Sequence, residues 1–271
     1  MQPIDTRVGL IVDGDNRFFG RSAYGEWCEV MTSACDGVLV ALGVREPSPT
    51  SREALRLVML GTMSPDARVW PLKLARLLAS HGDPLVGYFG AQLVSAGKVM
   101  GPGAALHAAR ALHFIGARAG EAPTDAAVGE AVAAWKARCG GRVGGFGVPF
   151  RAVDERRVHV LRLAAGTPIA EGRNFRLHEQ VVAAMHPLQP NVALTVAAML
   201  LDIGVAAEHA GVALAVMMSH VFLAHALEAA AQDGPRLHSI PADAVEYRGA
   251  APRHSRTAAP SDPPLALRRA R

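Results

Sequence analysis

Aromatic side chains make up only 5% of the 271 residues. Proteins that hold single-stranded nucleic acid stack its bases on aromatics beside a basic surface, and no stretch combines the two. The net charge of +4 is concentrated in the terminal run RHSRTAAPSDPPLALRRAR, which holds five arginines and one aspartate. Without that run the body is close to neutral. Residues 251–271 are therefore expected to form a disordered basic tail, and no nucleic-acid partner is expected.

Cysteine is also scarce. Cys28, Cys35 and Cys139 form no CxxC pair and leave an odd count, which points to buried, reduced thiols in a cytoplasmic protein. The start, MQPIDTRVGLIVDGDN, has early acids and no long apolar run, so no signal peptide is read there. The longest apolar run, Ala213–Ala231, contains His220, His225 and Glu228. It is expected to be a core helix, with no membrane partner.

Several catalytic patterns are missing too. GGRVGGFG is neither a GxGxxG after a strand nor a GxxxxGK[ST] loop, and there is no GxSxG elbow. Eleven histidines invite a metal, yet the nearest pairs, His220/His225, His107/His113 and His178/His186, are poorly spaced for one helix face. No metal is expected.

Half the residues are hydrophobic, and Ala, Leu and Val dominate. Ala and Leu are strong helix formers, and small residues let helix axes approach closely. Helices are expected from about 24 to 42, from Thr50 or Ser51 to Met59, from Ser64 on, and from Pro84 to about Met100. A break at GPG (101–103) precedes another helix. Further helices are expected from Thr124 or Asp125, and over 154–165, 171–186, 190–203 and 207–232. Strand character is confined to VGLIV near the start. The fold class is all-α.

Two sets of residues invite a chemical reading. His107 follows the GPG break in the first turns of a helix, where the helix dipole favours a neutral imidazole that donates to a carbonyl; a histidine packed on an Ala-rich helix is the alternative. Arg156 and Arg157 follow a glycine loop, where arginines hold carboxylates or phosphates; an exposed helix-start pair reads equally well.

Taken in order, several segments resemble the citrate synthase family. MGPGAALHAARAL resembles its Gly-Pro-Leu-His-Gly-Gly-Ala segment, and GGFGVPFRAVDERR its Gly-Phe-Gly-His loop followed by Asp-Pro-Arg. LQPNVALTVAAMLLDIGV resembles the Pro-Asn-Val-Asp segment and its apolar helix. FLAHALEAA resembles Trp-Ile-Ala-His-Val-Leu-Glu, and VEYRGAAPR the Tyr-x-Gly ending. SPDARVWPLKLARLLASHGDPL takes the place of the helix that begins with the Asp-His-Gly/Glu motif. The similarity spans roughly residues 50–253 and extends to citryl-CoA lyase-type domains.

The resemblance implies a multi-helical, citrate synthase-like fold over residues 1–250. A smaller lobe at about 120–205 would be inserted in a larger one, and the protein would be a homodimer. It implies an acyltransferase that joins an acyl-CoA such as acetyl-CoA to a 2-oxo acid. In that chemistry an aspartate takes the α-proton, one histidine stabilises the enolate, another polarises the ketone, and arginines hold carboxylates.

Most of those positions are replaced. The aspartate corresponds to Ala193 and the loop histidine to Val148. The first histidine corresponds to Ala104 without gaps, or to His107 with a three-residue insertion. Two arginine positions correspond to Met218 and Ile240, while Arg156 matches the arginine of Asp-Pro-Arg. His107 is thus the candidate catalytic residue, and Arg156 and Arg151 are the candidate carboxylate ligands. No tightly bound cofactor is implied; a CoA thioester or a small carboxylate is the expected ligand. Three readings stay open: an inactive homologue that binds such a ligand, a divergent acyltransferase or lyase with catalytic groups moved to residues such as His178, Glu179 or His186, and a purely structural dimer.

Overall fold

The structure is a computed structural model and describes residues 5–12, 14–97, 101–148, 152–232, 240–246 and 248–250. The candidate ligand Arg151 and the basic tail 251–271 lie outside the described residues. Met1–Arg236 form one compact unit and Leu237–Arg271 a second. The second contains a single 3-10 turn, Ala242–Ala244, among its described residues.

Among the described residues, strands are confined to the start. β1 (Gly9–Val12) and β2 (Asp15–Phe18) pair antiparallel, and β3 (Arg21–Ser22) adds to the second. The long helix expected over 24–42 is broken into a π-turn (Ala23–Trp27), the short α1 (Cys28–Val30) and α2 (Ala34–Ala41). The cause of the break is Asp36. Its buried carboxylate accepts from the Thr32 and Ser33 N–H groups at 2.8 and 3.0 Å and from Arg52 Nε at 2.6 Å, so the chain turns there and α2 starts anew. Cys28 is exposed and Cys35 and Cys139 are partly buried, which corrects the expectation of buried thiols.

Helix starts follow capping chemistry. α3 (Pro49–Thr62) begins one or two residues before the expected start, because Ser48 accepts from the Ser51 N–H and Pro49 occupies the first turn, where no N–H is needed. α4 (Trp70–Ala79) begins later than Ser64, with Pro71 in its first turn; Asp66 instead closes a local turn onto the Arg68 N–H at 2.8 Å. GPG does not break a helix. It forms the first turn of α6 (Gly101–Ala119), and a proline is tolerated there.

α5 (Pro84–Ser95) lies directly on α4: a Cβ on Gly87 would strike the Ala75 carbonyl oxygen and the Ala79 methyl. These two helices and α11 (Ala210–Ala230) pack together around Leu72, Ala75, Ala91, Val221 and Phe222. α11 is long and apolar enough to cross a membrane by length and composition alone, but half of it is buried inside the fold, against α3, α4, α5 and α6.

The centre of the larger core is α10 (Val192–Asp202), where Val192 to Leu200 are all buried. A helix apolar on every side must be surrounded. α10 packs against α3, α6, α8 (Glu155–Ala164) and α9 (Arg173–Ala184), and α7 (Asp125–Arg138) packs outside α6 and α9. Among the described residues the fold is all-α apart from the small N-terminal three-stranded sheet.

Candidate ligand site at the start of α10

The glycine loop and the start of α10 are fastened together by backbone geometry. Gly145 has φ +86°, and a Cβ there would sit 2.9 Å from the Leu194 nitrogen, so only glycine fits. The Asn191 N–H donates to the Gly145 carbonyl at 2.8 Å, and the Gly147 N–H donates to the Gln189 carbonyl at 2.8 Å. The Asn191 side chain completes the clamp. Its Nδ2 donates to the Gly147 carbonyl at 3.0 Å, and its Oδ1 accepts from the Ala193 N–H at 3.0 Å, capping α10.

Asp154 links this clamp to α8. Its side chain is 1% exposed. Oδ1 accepts from the Arg156 N–H at 3.2 Å and from Arg156 Nε at 2.8 Å. Oδ2 accepts from Arg156 Nη2 at 2.8 Å and from the Val192 N–H at 2.9 Å. One carboxylate therefore caps two helices, and an anion is favoured at both N-termini. Burial pushes the Asp154 pKa up, but the bonds from Arg156 and the Val192 N–H outweigh burial and hold it below the usual aspartate value.

Arg156 uses its Nε and Nη2 edge on Asp154, and Nη1 donates to Ser64 Oγ at 3.3 Å. A guanidinium carries five N–H donors, so its Nη1 end keeps capacity for a further acceptor.

These groups border a cavity of about 330 Å³. Its lining brings together Ala104, Val148, Ala193 and Met218, four positions far apart in sequence, with Arg156 and Asp154. Leu72 of α4 and Leu214, Val221 and Phe222 of α11 complete an apolar wall. A second cleft, about 400 Å³, borders the same Ser64, Val69, Val148, Asp154 and Arg156 and continues to Pro65, Asp66 and Glu155. Arg156 thus borders both spaces.

His107 lies on the exposed side of α6, outside this lining; one turn earlier, Ala104 faces the cavity. His178 is fully buried elsewhere, with Nε2 2.9 Å from Glu179 Oε1 and 3.4 Å from Thr195 Oγ1. Glu179 also accepts from Arg157 at 2.7 Å, and the His178 bond leads the effects that hold its pKa down. His186 is exposed, and neither it, His178, Glu179 nor Arg157 borders the cavity. Ile240 lies in the C-terminal unit and is exposed. No cluster of three or more metal-ligating side chains occurs among the described residues.

Sequence reasoning overlooked Asp154, Thr62 and Ser64 at this site. Asp154 had a legible signal, an aspartate at a helix start two residues before Arg156. Thr62 and Ser64 had none, since the packing of α3 against α8 brings them near Arg156.

The helical architecture and the site at the start of α10 define an all-α protein with the citrate synthase-like fold. No family model matches the chain, and no curated protein matches it in sequence. Solved structures do. The citryl-CoA lyase from Hydrogenobacter thermophilus superposes with a TM-score of 0.75 at 17% identity, over 94% of this chain and 98% of that one. The ATP citrate lyase from Methanothrix soehngenii, solved with citrate and coenzyme A, gives a TM-score of 0.66 at 16% identity, over 93% of this chain and 42% of the other. The citrate synthase from Thermotoga maritima gives 0.54 at 18% identity, over 78% of this chain and 56% of that one. The chain therefore shares the fold of these enzymes.

Proposed function

We propose that this chain binds a carboxylate, free or carried on a CoA thioester, in the cavity at the start of α10, and that it does not make or cleave citrate. The observation behind the second half is the state of Asp154. It is the one acid among the described residues of the cavity lining, and both its oxygens already accept bonds from Arg156 and Val192. A carboxylate held that way has a lowered basicity, and abstraction of a carbon-bound proton needs the reverse. Ala193, Val148 and Ala104 offer neither a base nor a donor to a developing oxyanion. Loss of a positioned base costs about 10²–10⁴-fold in rate and loss of an oxyanion donor about 10²–10³-fold.

The binding half rests on Arg156, whose Nη1 end and the Ser64 hydroxyl border the cavity together. The test combines two measurements. In deuterated buffer the protein should catalyse no α-proton exchange of acetyl-CoA at any pH, and mixing it with acetyl-CoA and oxaloacetate should release no CoA above background. Small carboxylates should raise Tm for the native protein and not for Arg156→Gln. Turnover would refute the inactive reading and favour a divergent acyltransferase or lyase that uses Asp154 after Arg156 swings away.

We further propose a cytoplasmic homodimer. α5 exposes Leu85, Val86, Phe89 and Leu93, and α11 exposes Val212, Val216, Leu223 and Leu227. Apolar faces of that extent on helices that pack together mark association surfaces.

A further inference from the structure

We infer that the ligand of this cavity is a hydrophobic monocarboxylate, a chain of roughly six to ten carbons for a space of this size, and not a polycarboxylate such as citrate. The inference rests on the proposed carboxylate site and specifies its substrate class.

Charge comes first. Among the described residues of the lining, the ionised side chains are Asp154 and Arg156, paired at 2.8 Å. The Nη1 end of Arg156 can still meet one ligand carboxylate, whereas a second or third would meet no further cation among the described lining residues, and an unpaired buried charge is strongly disfavoured. The adjoining cleft has, among the described residues, no cation beyond the same Arg156.

Polar capacity comes second. The lining's other hydrogen-bonding side chains are already engaged inside the protein. The Thr62 hydroxyl donates to the Val58 carbonyl at 2.9 Å, and Asn191 is committed at both ends to Gly147 and Ala193. What can still donate is the Nη1 end of Arg156 and the Ser64 hydroxyl, which accepts from it, together enough for one carboxylate.

Shape and surface come third. The remaining wall is aliphatic and aromatic: Leu72, Ala104, Leu214, Met218, Val221 and Phe222. Val148 and Ala193 present carbon there too. A chain anchored by its carboxylate at Arg156 lies along that wall, and every buried methylene adds about 0.8 kcal/mol, or about fourfold in affinity.

The experiment is a calorimetric titration of the full-length native protein with acetate, butanoate, hexanoate, octanoate, decanoate and dodecanoate, and with octanol, citrate and oxaloacetate. Affinity should rise about fourfold per methylene to a plateau between hexanoate and decanoate. Octanoate should bind at least tenfold more tightly than octanol, citrate or oxaloacetate. Ala104→Leu should move the plateau to a shorter chain, and Arg156→Gln should weaken octanoate without weakening octanol. Citrate or oxaloacetate binding more tightly than octanoate, or affinity flat along the series, would overturn the inference and leave the carboxylate site standing. Octanol matching octanoate, or no carboxylate binding at all, would remove both. The native-protein series decides the matter even if either variant fails to fold.

Discussion

Replacing Asp154 with asparagine should destabilise the protein by about 2–3 kcal/mol. The figure follows from what the carboxylate does. Its bonds to the Arg156 guanidinium are charge-assisted, and such bonds contribute about 1.5–3 kcal/mol. Its bonds to the Arg156 and Val192 N–H groups are helix caps, each worth about 0.5–2 kcal/mol. Asparagine keeps one acceptor oxygen and turns the other position into a donor, which then faces either the Val192 N–H or the guanidinium. Against this, Arg156 is 37% exposed, so its released charge regains water and the loss stays short of the roughly 3–5 kcal/mol typical of a fully buried broken pair. The assay is urea unfolding at pH 7, compared by midpoint with the m-value unchanged, with a thermal midpoint lowered by about 4–12 °C at about 2–4 °C per kcal/mol. pH supplies the independent check. The folded-state pKa of Asp154 is depressed, so the stability that this ionisation contributes is complete above the unfolded value near ~3.9 and is lost as pH falls through the folded one. The gap between native protein and Asp154→Asn should therefore be full at pH 6 and shrink below about pH 4. A midpoint within 0.5 kcal/mol of native at pH 7, within the ordinary scatter of surface substitutions, would refute the double-cap account of the site.

Four further outcomes are expected. Gly145→Ala combines a left-handed φ with a collision against Leu194 and should cost about 2–4 kcal/mol by urea unfolding; a loss under 1 kcal/mol would mean that the loop is not clamped to α10. Asp36→Asn should destabilise by about 1.5–3 kcal/mol, because the Arg52 and Thr32 bonds hold the Asp36 pKa down against the opposing, larger single effect of burial; this contribution too should fade below about pH 4. Ala193→Asp should produce no CoA release from acetyl-CoA and oxaloacetate, since Val148 and Ala104 would still supply no electrophilic partner; turnover there would show that one carboxylate was all the site lacked. Phe89→Asp, on the exposed face of α5, should shift sedimentation towards monomer while leaving the circular dichroism spectrum unchanged, and an unaltered sedimentation coefficient would place any dimer contact elsewhere.

The sequence carried the helical class and most of the helix register by itself, because those depend on local chemistry. An Ala- and Leu-rich chain prefers helix, Thr124 and Asn191 mark the starts of α7 and α10 by capping, and the unbroken apolar run of α10 announces a buried helix. Prolines misled where position mattered more than identity: GPG reads as a break, yet Pro102 falls in a first turn that needs no N–H. The order of the segments that resemble the family also drew attention to Val148 and Ala193. Only the tertiary structure showed that these two share one cavity with Ala104 and Met218, that Ala104 and not His107 faces it, and that Asp154 is consumed as a cap on two helices. Those facts depend on which turn of a helix meets which neighbour across long stretches of chain, and a residue's spacing along the sequence does not encode that rotation.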